Sequence, residues 1–175
     1  MTISEVKKLG SPILRKTITK LDKIPHNFQQ TIHNMFLTMT QAKGIGLSAN
    51  QVGLDQRFFI VDFGLYDEQF GKKVFVNPEI TSMEGTTIDE EGCLSLPGIN
   101  EKVSRANKIH IKFKDENFTD MEEDYDGYLS RVIQHEYDHL NGVVFTDRIS
   151  SLKKSFIKNK LVALEQETKK EQGIL

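Results

Sequence analysis

The sequence contains a single cysteine, Cys93, among its 175 residues, so an intrachain disulfide is impossible. This scarcity fits a protein that folds in a reducing compartment, and it makes Cys93 a candidate metal ligand or nucleophile. An excess of one charge is also missing, because the formal net charge is only −2 and no dense basic cluster stands out. Such a chain offers no electrostatic footprint for nucleic acid.

Long apolar runs and recognisable leader segments are absent as well. No stretch approaches the roughly 20 apolar residues of a membrane helix, and the first residues have neither an apolar core nor an arginine-rich pattern. We therefore expect a cytoplasmic protein without membrane contact. Without internal repeats or long linkers, we predict a single domain over residues 1–175, with a core of about 3–150 and a C-terminal helix of about 151–170.

The periodicity of apolar residues changes twice along the chain. Helical spacing first occurs in Phe28, Ile32, Met35, Phe36 and Met39, and this predicts a helix that ends near Lys43-Gly44 with Gly44 as its cap. Short segments rich in Val, Ile and Phe follow, which predict mostly antiparallel strands. These segments are QRFFIVDF, KKVFVNPEI, EKVSRA, KIHIKFKD and FTDMEED.

Helical spacing returns from Gly127 and again from Ser151. The last helix is predicted to bury Leu152, Phe156, Leu161 and Leu164 on one face and to solvate its lysines. The predicted class is α+β, with mostly antiparallel strands packed around a central motif helix and with an N-terminal and a C-terminal helix.

The central helix carries the sequence His135-Glu136-Tyr137-Asp138-His139. Residues four apart project from the same helix face, so both histidines can bind one ion. Glu136 lies about 100° further around the helix, where it can reach a metal-bound water without being a ligand. This HExxH pattern is typical of metal hydrolases, although a chance occurrence on a surface helix is the alternative. A catalytic ion would need a third protein ligand.

Cys93, in the stretch EEGCLSLPG, is the leading candidate for that third ligand. One thiolate and two imidazoles would leave a fourth position open for water, whereas structural zinc normally has four protein ligands. A lone cysteine is otherwise often a small buried hydrophobe. The competing histidines lie in ordinary contexts; they are His26, His33 and His110.

A third segment, GIGLSANQVG at residues 44–53, combines two close glycines with an amide side chain. The glycines would let the backbone pass close to a ligand. A phosphate loop is disfavoured because a third glycine and a GK[ST] sequence are missing, and a plain turn is the alternative. Gln51 is an uncharged donor that could stabilise an oxyanion without binding the metal.

Together, GIGLSANQ, EGCLS and QHEYDHLNG resemble the three motifs of the peptide deformylase family, in that family's order. SPILRK, VSR and GVVFTDRIS also fit, so the resemblance runs from about Ile3 to Ser150. It implies a metal-dependent hydrolase that removes the N-formyl group from the N-terminal formylmethionine of newly synthesised polypeptides and releases formate.

The resemblance also implies a role for individual residues. It gives Cys93, His135 and His139 as metal ligands, Glu136 as general base and then acid, and Gln51 with the backbone N–H of Leu94 as oxyanion donors. The substrate channel would be lined by Ile45, Gly46 and Glu91, with Tyr128 and Val132 as expected pocket walls. Arg105 would support the site from behind the ligands, and Asp138 is a candidate orienting partner for a metal-bound histidine.

Three residues depart from the family pattern. Ser48 and Ser130 replace common alanines, and Asn100 lies where some members have a substrate-side arginine. None removes a catalytic group, so we expect these departures to affect substrate preference and affinity.

The expected cofactor is one divalent ion. The resemblance favours Fe²⁺, although the same ligands would bind Zn²⁺ more tightly by the Irving–Williams order. The expected partner is a nascent N-formylmethionyl polypeptide. We predict a monomer, with a ribosome contact of the segment beyond Ser150 left open. Two alternatives are a zinc endopeptidase, whose third ligand usually lies downstream, and a non-catalytic module that binds nascent N-termini.

Overall fold

Three helices and seven strands form the regular structure of the described residues, 3–66, 68 and 70–174, in the computed structural model. The helices are α1 (Phe28–Gln41), α2 (Gly127–Leu140) and α3 (Ser151–Glu171). The strands are β1 (Gly46–Ser48), β2 (Phe58–Asp62), β3 (Lys72–Glu84), β4 (Thr87–Gly92), β5 (Asn100–Arg105), β6 (Lys108–Lys114) and β7 (Asp120–Asp126). Four short 3-10 turns include one at Ala49–Val52.

The strands form two antiparallel sheets. The larger has five strands in the order β1-β2-β3-β6-β7, and β4 pairs with β5 in a separate hairpin. The motif helix α2 packs on the large sheet, where Val132, Ile133 and Leu140 join a buried cluster with Phe59 and Phe75. The predicted α+β class with a central motif helix is confirmed.

The first predicted helix is confirmed, but its C-terminal cap is not the one expected. Lys43 adopts the left-handed conformation (φ 57°), and the Gly44 N–H donates to the carbonyl of Met39 at 2.9 Å. This is the hydrogen bond of a Schellman cap, with a lysine at the position that glycine usually takes. Gly44 serves close packing instead, because an added Cβ would lie 2.8 Å from Leu94 Cδ1.

The predicted buried face of the C-terminal helix is wrong in part. Leu161 is buried, but Leu152 and Phe156 are 68% and 77% exposed. The face that packs against the rest of the chain contains Ile157 and Thr168 instead. Apolar residues occur on more than one face of this helix, so the periodicity did not single out the buried one.

All five predicted strand segments correspond to strands, but β1 and β4 were not predicted. β1 has only three residues, and β4 reads Thr-Ile-Asp-Glu-Glu-Gly, which lacks an apolar alternation. Within the described residues, β1 and β4 each have one edge that pairs with no other strand. Within the described residues, no helix combines the length and apolarity needed to cross a bilayer.

Candidate metal and catalytic site

The structure brings Cys93, His135 and His139 together from distant parts of the chain. The two histidines lie four residues apart on α2, and Cys93 lies in the turn after β4. Cys93 Sγ is 3.2 Å from His139 Nε2, and one ligand atom of each residue lies within 4.8 Å of the other two. A thiolate with two imidazoles is a donor set that suits first-row divalent ions and leaves a coordination position open. The residues therefore fit a metal centre.

The competing histidines lie elsewhere. His26 and His33 are exposed at or near α1. His110, on β6, is close to Glu122 and Asp124 of the neighbouring strand, with 2.7 Å between each nitrogen and a carboxylate oxygen. Among the described residues, Cys93 with the two α2 histidines is the one group of suitable donors found close enough to share an ion.

Glu91, and not Asp138, orients a histidine of this group. Its Oε2 is 3.1 Å from His135 Nδ1, which leaves His135 Nε2 free to bind an ion. Asp138 instead accepts hydrogen bonds from Arg105 and Arg148. Sequence proximity suggested Asp138, but its carboxylate contacts these two arginines and no histidine among the described residues.

Glu91 is held by two buried arginines. Arg105 donates from Nε and Nη2 to the two carboxylate oxygens at 2.8 and 2.9 Å, and Arg131 Nη1 donates at 2.6 Å. Burial alone would raise the pKa of Glu91, but Arg105 and His135 outweigh it and lower the pKa. Glu91 therefore stays ionised. Arg131 was not singled out from the sequence, although its position four residues before His135 places both on one face of α2.

The pKa values of the two histidines move in opposite directions in the metal-free protein. Burial favours neutral His135, but Cys93 and Glu91 outweigh it and raise the pKa. Burial, together with His135 and Arg105, holds the pKa of His139 well below its usual value. His139 is thus ready to act as a ligand, whereas His135 must lose a proton first.

Glu136 is a buried carboxylate next to the three candidate ligands. Its Oε2 has no hydrogen-bond partner among the described residues. Burial raises the pKa of Glu136 to about 7, against the opposing effects of His135 and the Ser48 hydroxyl. A carboxylate with a pKa near neutrality can both accept and return a proton. Gly46 lies directly against it, because an added Cβ would meet Glu136 Oε1 at 2.5 Å.

The two expected oxyanion donors lie at the same site. Gln51 Nε2 is 3.1 Å from Ser95 Oγ and 3.6 Å from Cys93 Sγ, so its amide N–H groups face the metal ligands. The N–H of Leu94 donates to none of the other described residues in the hydrogen-bond pattern. The Leu94 N–H is therefore available to donate to a ligand.

A pocket of about 320 Å³ opens over these groups. It contains all five residues expected to contact substrate, which are Ile45, Gly46, Glu91, Tyr128 and Val132. It also contains Gln51, Cys93, Leu94, His135 and Glu136. Arg105 is not among its lining residues; it contacts Glu91 and Asp138, and Glu91 in turn contacts His135.

The three departures from the family pattern lie outside the described lining of this pocket. Asn100 pairs with Gly92 across the β4–β5 hairpin. Ser130 is buried and hydrogen-bonds Ala106 and Gln134. Ser48 is buried beside Gln51.

A Cys/His/His donor set, a buried glutamate beside it and an open pocket over both are together typical of metal-dependent hydrolases. Comparison with known proteins is more specific. Residues 3–155 match the family model for polypeptide deformylase. A peptide deformylase from Flavobacterium psychrophilum is 44% identical over 165 residues, with 87% of this chain and 85% of that protein covered. One from Chromobacterium violaceum is 48% identical over 139 residues, with 79% and 82% covered.

Solved structures agree with the sequence comparison. The plant peptide deformylase PDF1B superposes with a TM-score of 0.91 at 32% identity, covering 99% of this chain and 95% of that one. The peptide deformylase from Legionella pneumophila has a TM-score of 0.85 at 36% identity, covering 94% and 96%. The chain belongs to the polypeptide deformylase family and is an enzyme of that family.

Proposed function

We propose that this protein removes the N-formyl group from formylmethionyl polypeptides, with Cys93, His135 and His139 holding one divalent ion and Glu136 transferring the proton. The observation that carries the proposal is the buried Glu136 carboxylate, whose Oε2 has no hydrogen-bond partner among the described residues and which lines the pocket with Cys93 and His135. A protein that only binds N-termini has no use for such a base.

A divalent ion held by these three residues would supply Lewis-acid activation of a water and of the formyl carbonyl. We propose Fe²⁺ as the native ion on the family resemblance, because the donor set by itself would also bind Zn²⁺. Cys93 is half-buried, so oxygen has a route to its sulfur. Loss of activity in air, together with metal analysis of the same anaerobic sample, would test this proposal.

Glu136 would move the proton in both halves of the reaction. It accepts a proton from the water whose oxygen attacks the formyl carbon, and it returns the proton to the nitrogen as the C–N bond breaks. The products are formate and a free α-amine. Its position in the pocket lining beside Cys93 and His135 suits the carboxylate to both steps.

Gln51 and the Leu94 N–H would stabilise the negative charge that develops on the formyl oxygen. Both donors are uncharged, so they can assist the oxyanion without neutralising Glu136. Removal of one such donor typically lowers kcat by about 10²- to 10³-fold.

The peptide would bind in an extended conformation between two strand edges. Within the described residues, β1 pairs only with β2 and β4 pairs only with β5, so each has an edge free on the pocket side. Backbone hydrogen bonds would supply affinity for any sequence. Val132 and Tyr128 would contact the methionine side chain.

The decisive experiment compares the wild type with Glu136→Gln in a formate-release assay on a formyl-methionyl peptide. The variant keeps the shape of the side chain but cannot accept the proton, so we expect loss of at least about 10²-fold in kcat with unchanged metal content. Glu84→Gln, at an exposed carboxylate at the end of β3, is the control for loss of a negative charge. Full activity in Glu136→Gln would refute the assignment, and cleavage of internal peptide bonds would favour an endopeptidase.

The remaining sequence predictions concern the protein in the cell. A monomeric state and a cytoplasmic location are retained as predictions, as is the open question of a ribosome contact through α3. Sedimentation of the purified protein alone tests the monomeric state, and sedimentation with ribosomes tests the ribosome contact.

A further inference from the structure

Ser48 is the last residue of β1. It is fully buried, and it is not among the described residues that line the pocket. The expectation that this departure affects substrate preference is therefore unsupported by its position. Its contacts lead to Gln51 instead.

The amide oxygen of Gln51 meets two donors from Ser48. The Ser48 backbone N–H donates to Gln51 Oε1 at 2.9 Å, and Ser48 Oγ lies 2.9 Å from the same oxygen. Ser48 Oγ is also 2.9 Å from Asn50 Oδ1. A hydroxyl has one proton and donates it to one of these acceptors at a time.

These contacts fix which way the Gln51 amide faces. With Oε1 on Ser48, Nε2 points to Ser95 and Cys93. A flipped amide would place its NH₂ group against the Ser48 backbone N–H, so that two donors would meet without an acceptor. The Ser48 backbone N–H determines the orientation of the Gln51 amide, and the Ser48 hydroxyl is a second contact that restricts its rotation.

The same hydroxyl reaches the motif helix through Asn50. Asn50 Nδ2 donates to the carbonyl of His139 at 2.6 Å, and its Oδ1 faces Ser48. Gln51 is thereby connected to the backbone of a candidate metal ligand through buried side chains alone. The Ser48 proton joins either Gln51 or Asn50, so this buried network has two proton arrangements on the same heavy-atom positions.

We propose that Ser48 is a positioning residue that holds the Gln51 amide with its N–H groups directed at the reacting carbonyl before substrate binds. The inference rests on the proposed function, because it assigns a purpose to the Gln51 donor. We expect the same contact between the hydroxyl and the amide in the free protein, where it can be measured without turnover.

The test uses Ser48→Ala with Ser130→Ala as its matched control. Both remove one fully buried hydroxyl from a serine, but Ser130 contacts Ala106 and Gln134 and not Gln51. We expect Ser48→Ala to lower kcat about fivefold, which corresponds to about 1 kcal/mol, the contribution of one hydrogen bond. KM and metal content should stay within twofold, and Ser130→Ala should match the wild type.

Two further measurements separate positioning from a general loss of structure. In the metal-free protein, NMR of ¹⁵N-labelled samples reports exchange of the Gln51 side-chain amide protons, which should accelerate in Ser48→Ala and not in Ser130→Ala. In a Gln51→Ala background, Ser48→Ala should cause no further loss of kcat, because the residue through which it acts is gone.

Unchanged amide exchange and unchanged kcat in Ser48→Ala would overturn the inference. An equal fall in kcat with and without Gln51 would overturn it too, and would point to Glu136, which also lies near this hydroxyl. A wild-type protein that releases no formate would refute the proposed function, and the amide exchange would then decide the inference by itself.

Discussion

Replacing Gly46 by alanine should displace the catalytic glutamate while leaving its chemistry intact. Gly46 lies in β1, with a backbone conformation that any residue can adopt. The added Cβ would meet Glu136 Oε1 at 2.5 Å, and Cδ and Cγ at 2.9 Å. Ordinary contact begins at 3.4 Å, so the carboxylate must retreat by roughly 1 Å, and the surrounding burial leaves it little room.

A displacement of this size has a calculable effect on the rate. A 1 Å error in the position of a reacting group lowers the rate by about 10²-fold, which corresponds to about 2.7 kcal/mol of barrier. The overpacked methyl should also lower the free energy of unfolding by about 1 to 3 kcal/mol. We expect kcat to fall about 100-fold in the formate-release assay, with metal content unchanged.

The control for the added methyl group is Gly64→Ala. That glycine follows β2, its φ is also outside the left-handed region, and the nearest atom to an added Cβ is Asp62 Oδ1 at 3.2 Å. Gly64→Ala should leave kcat unchanged and should lower the free energy of unfolding by less than Gly46→Ala does. Wild-type kcat in Gly46→Ala would refute the argument. A rise in KM alone would show that the methyl group obstructs the peptide and not Glu136.

Three other predictions follow from the charges around the site. Glu91→Gln should weaken metal binding at least about 10-fold, because His135 loses its orienting carboxylate. The same variant should lower the free energy of unfolding by about 3 kcal/mol. Metal titration and urea unfolding measure these two effects, and wild-type values in both would contradict the role of Glu91. Because Cys93 and Glu91 raise the pKa of His135, the metal-free protein should release protons when Zn²⁺ is added and should bind Zn²⁺ more tightly as pH rises. Calorimetry in buffers of different ionisation enthalpy measures the proton release. Equal heats in all buffers would contradict this prediction. The hydrogen bonds that His110 donates to Glu122 and Asp124 raise its pKa above 6.5, so its stabilising contribution is complete below pH 6.5 and is lost as pH rises through the folded pKa. Its NMR titration midpoint should lie above 6.5 and fall in Glu122→Gln.

Two features of the sequence gave misleading expectations about the fold. Leu152 and Phe156 have helical spacing, yet their side chains are solvated because the register of α3 against its neighbours selects another face. Gly44 was a reasonable helix cap, yet Lys43 takes the left-handed position and Gly44 makes room for Leu94. Local preference suggested both assignments, and packing over long sequence distances decided both.

The metal helix is the part of the site that the sequence determines by itself. The 3.6-residue period is local, so His135, Glu136 and His139 must share one region of the helix surface wherever that helix packs. The resemblance to the family identified Cys93, Gln51 and Leu94 as further residues of the site, from their positions in its motifs. It could not supply the contacts among them.

Only the tertiary structure decided those contacts. Glu91 orients His135 across 44 residues of sequence, and Ser48 fixes the sense of the Gln51 amide through hydrogen bonds that no periodicity describes. Such contacts depend on how β4 and the turn after β1 pack against α2. The spacing of residues on one helix is fixed by backbone geometry, whereas the pairing of side chains between elements is fixed by burial, which leaves each buried charge and donor in need of a partner.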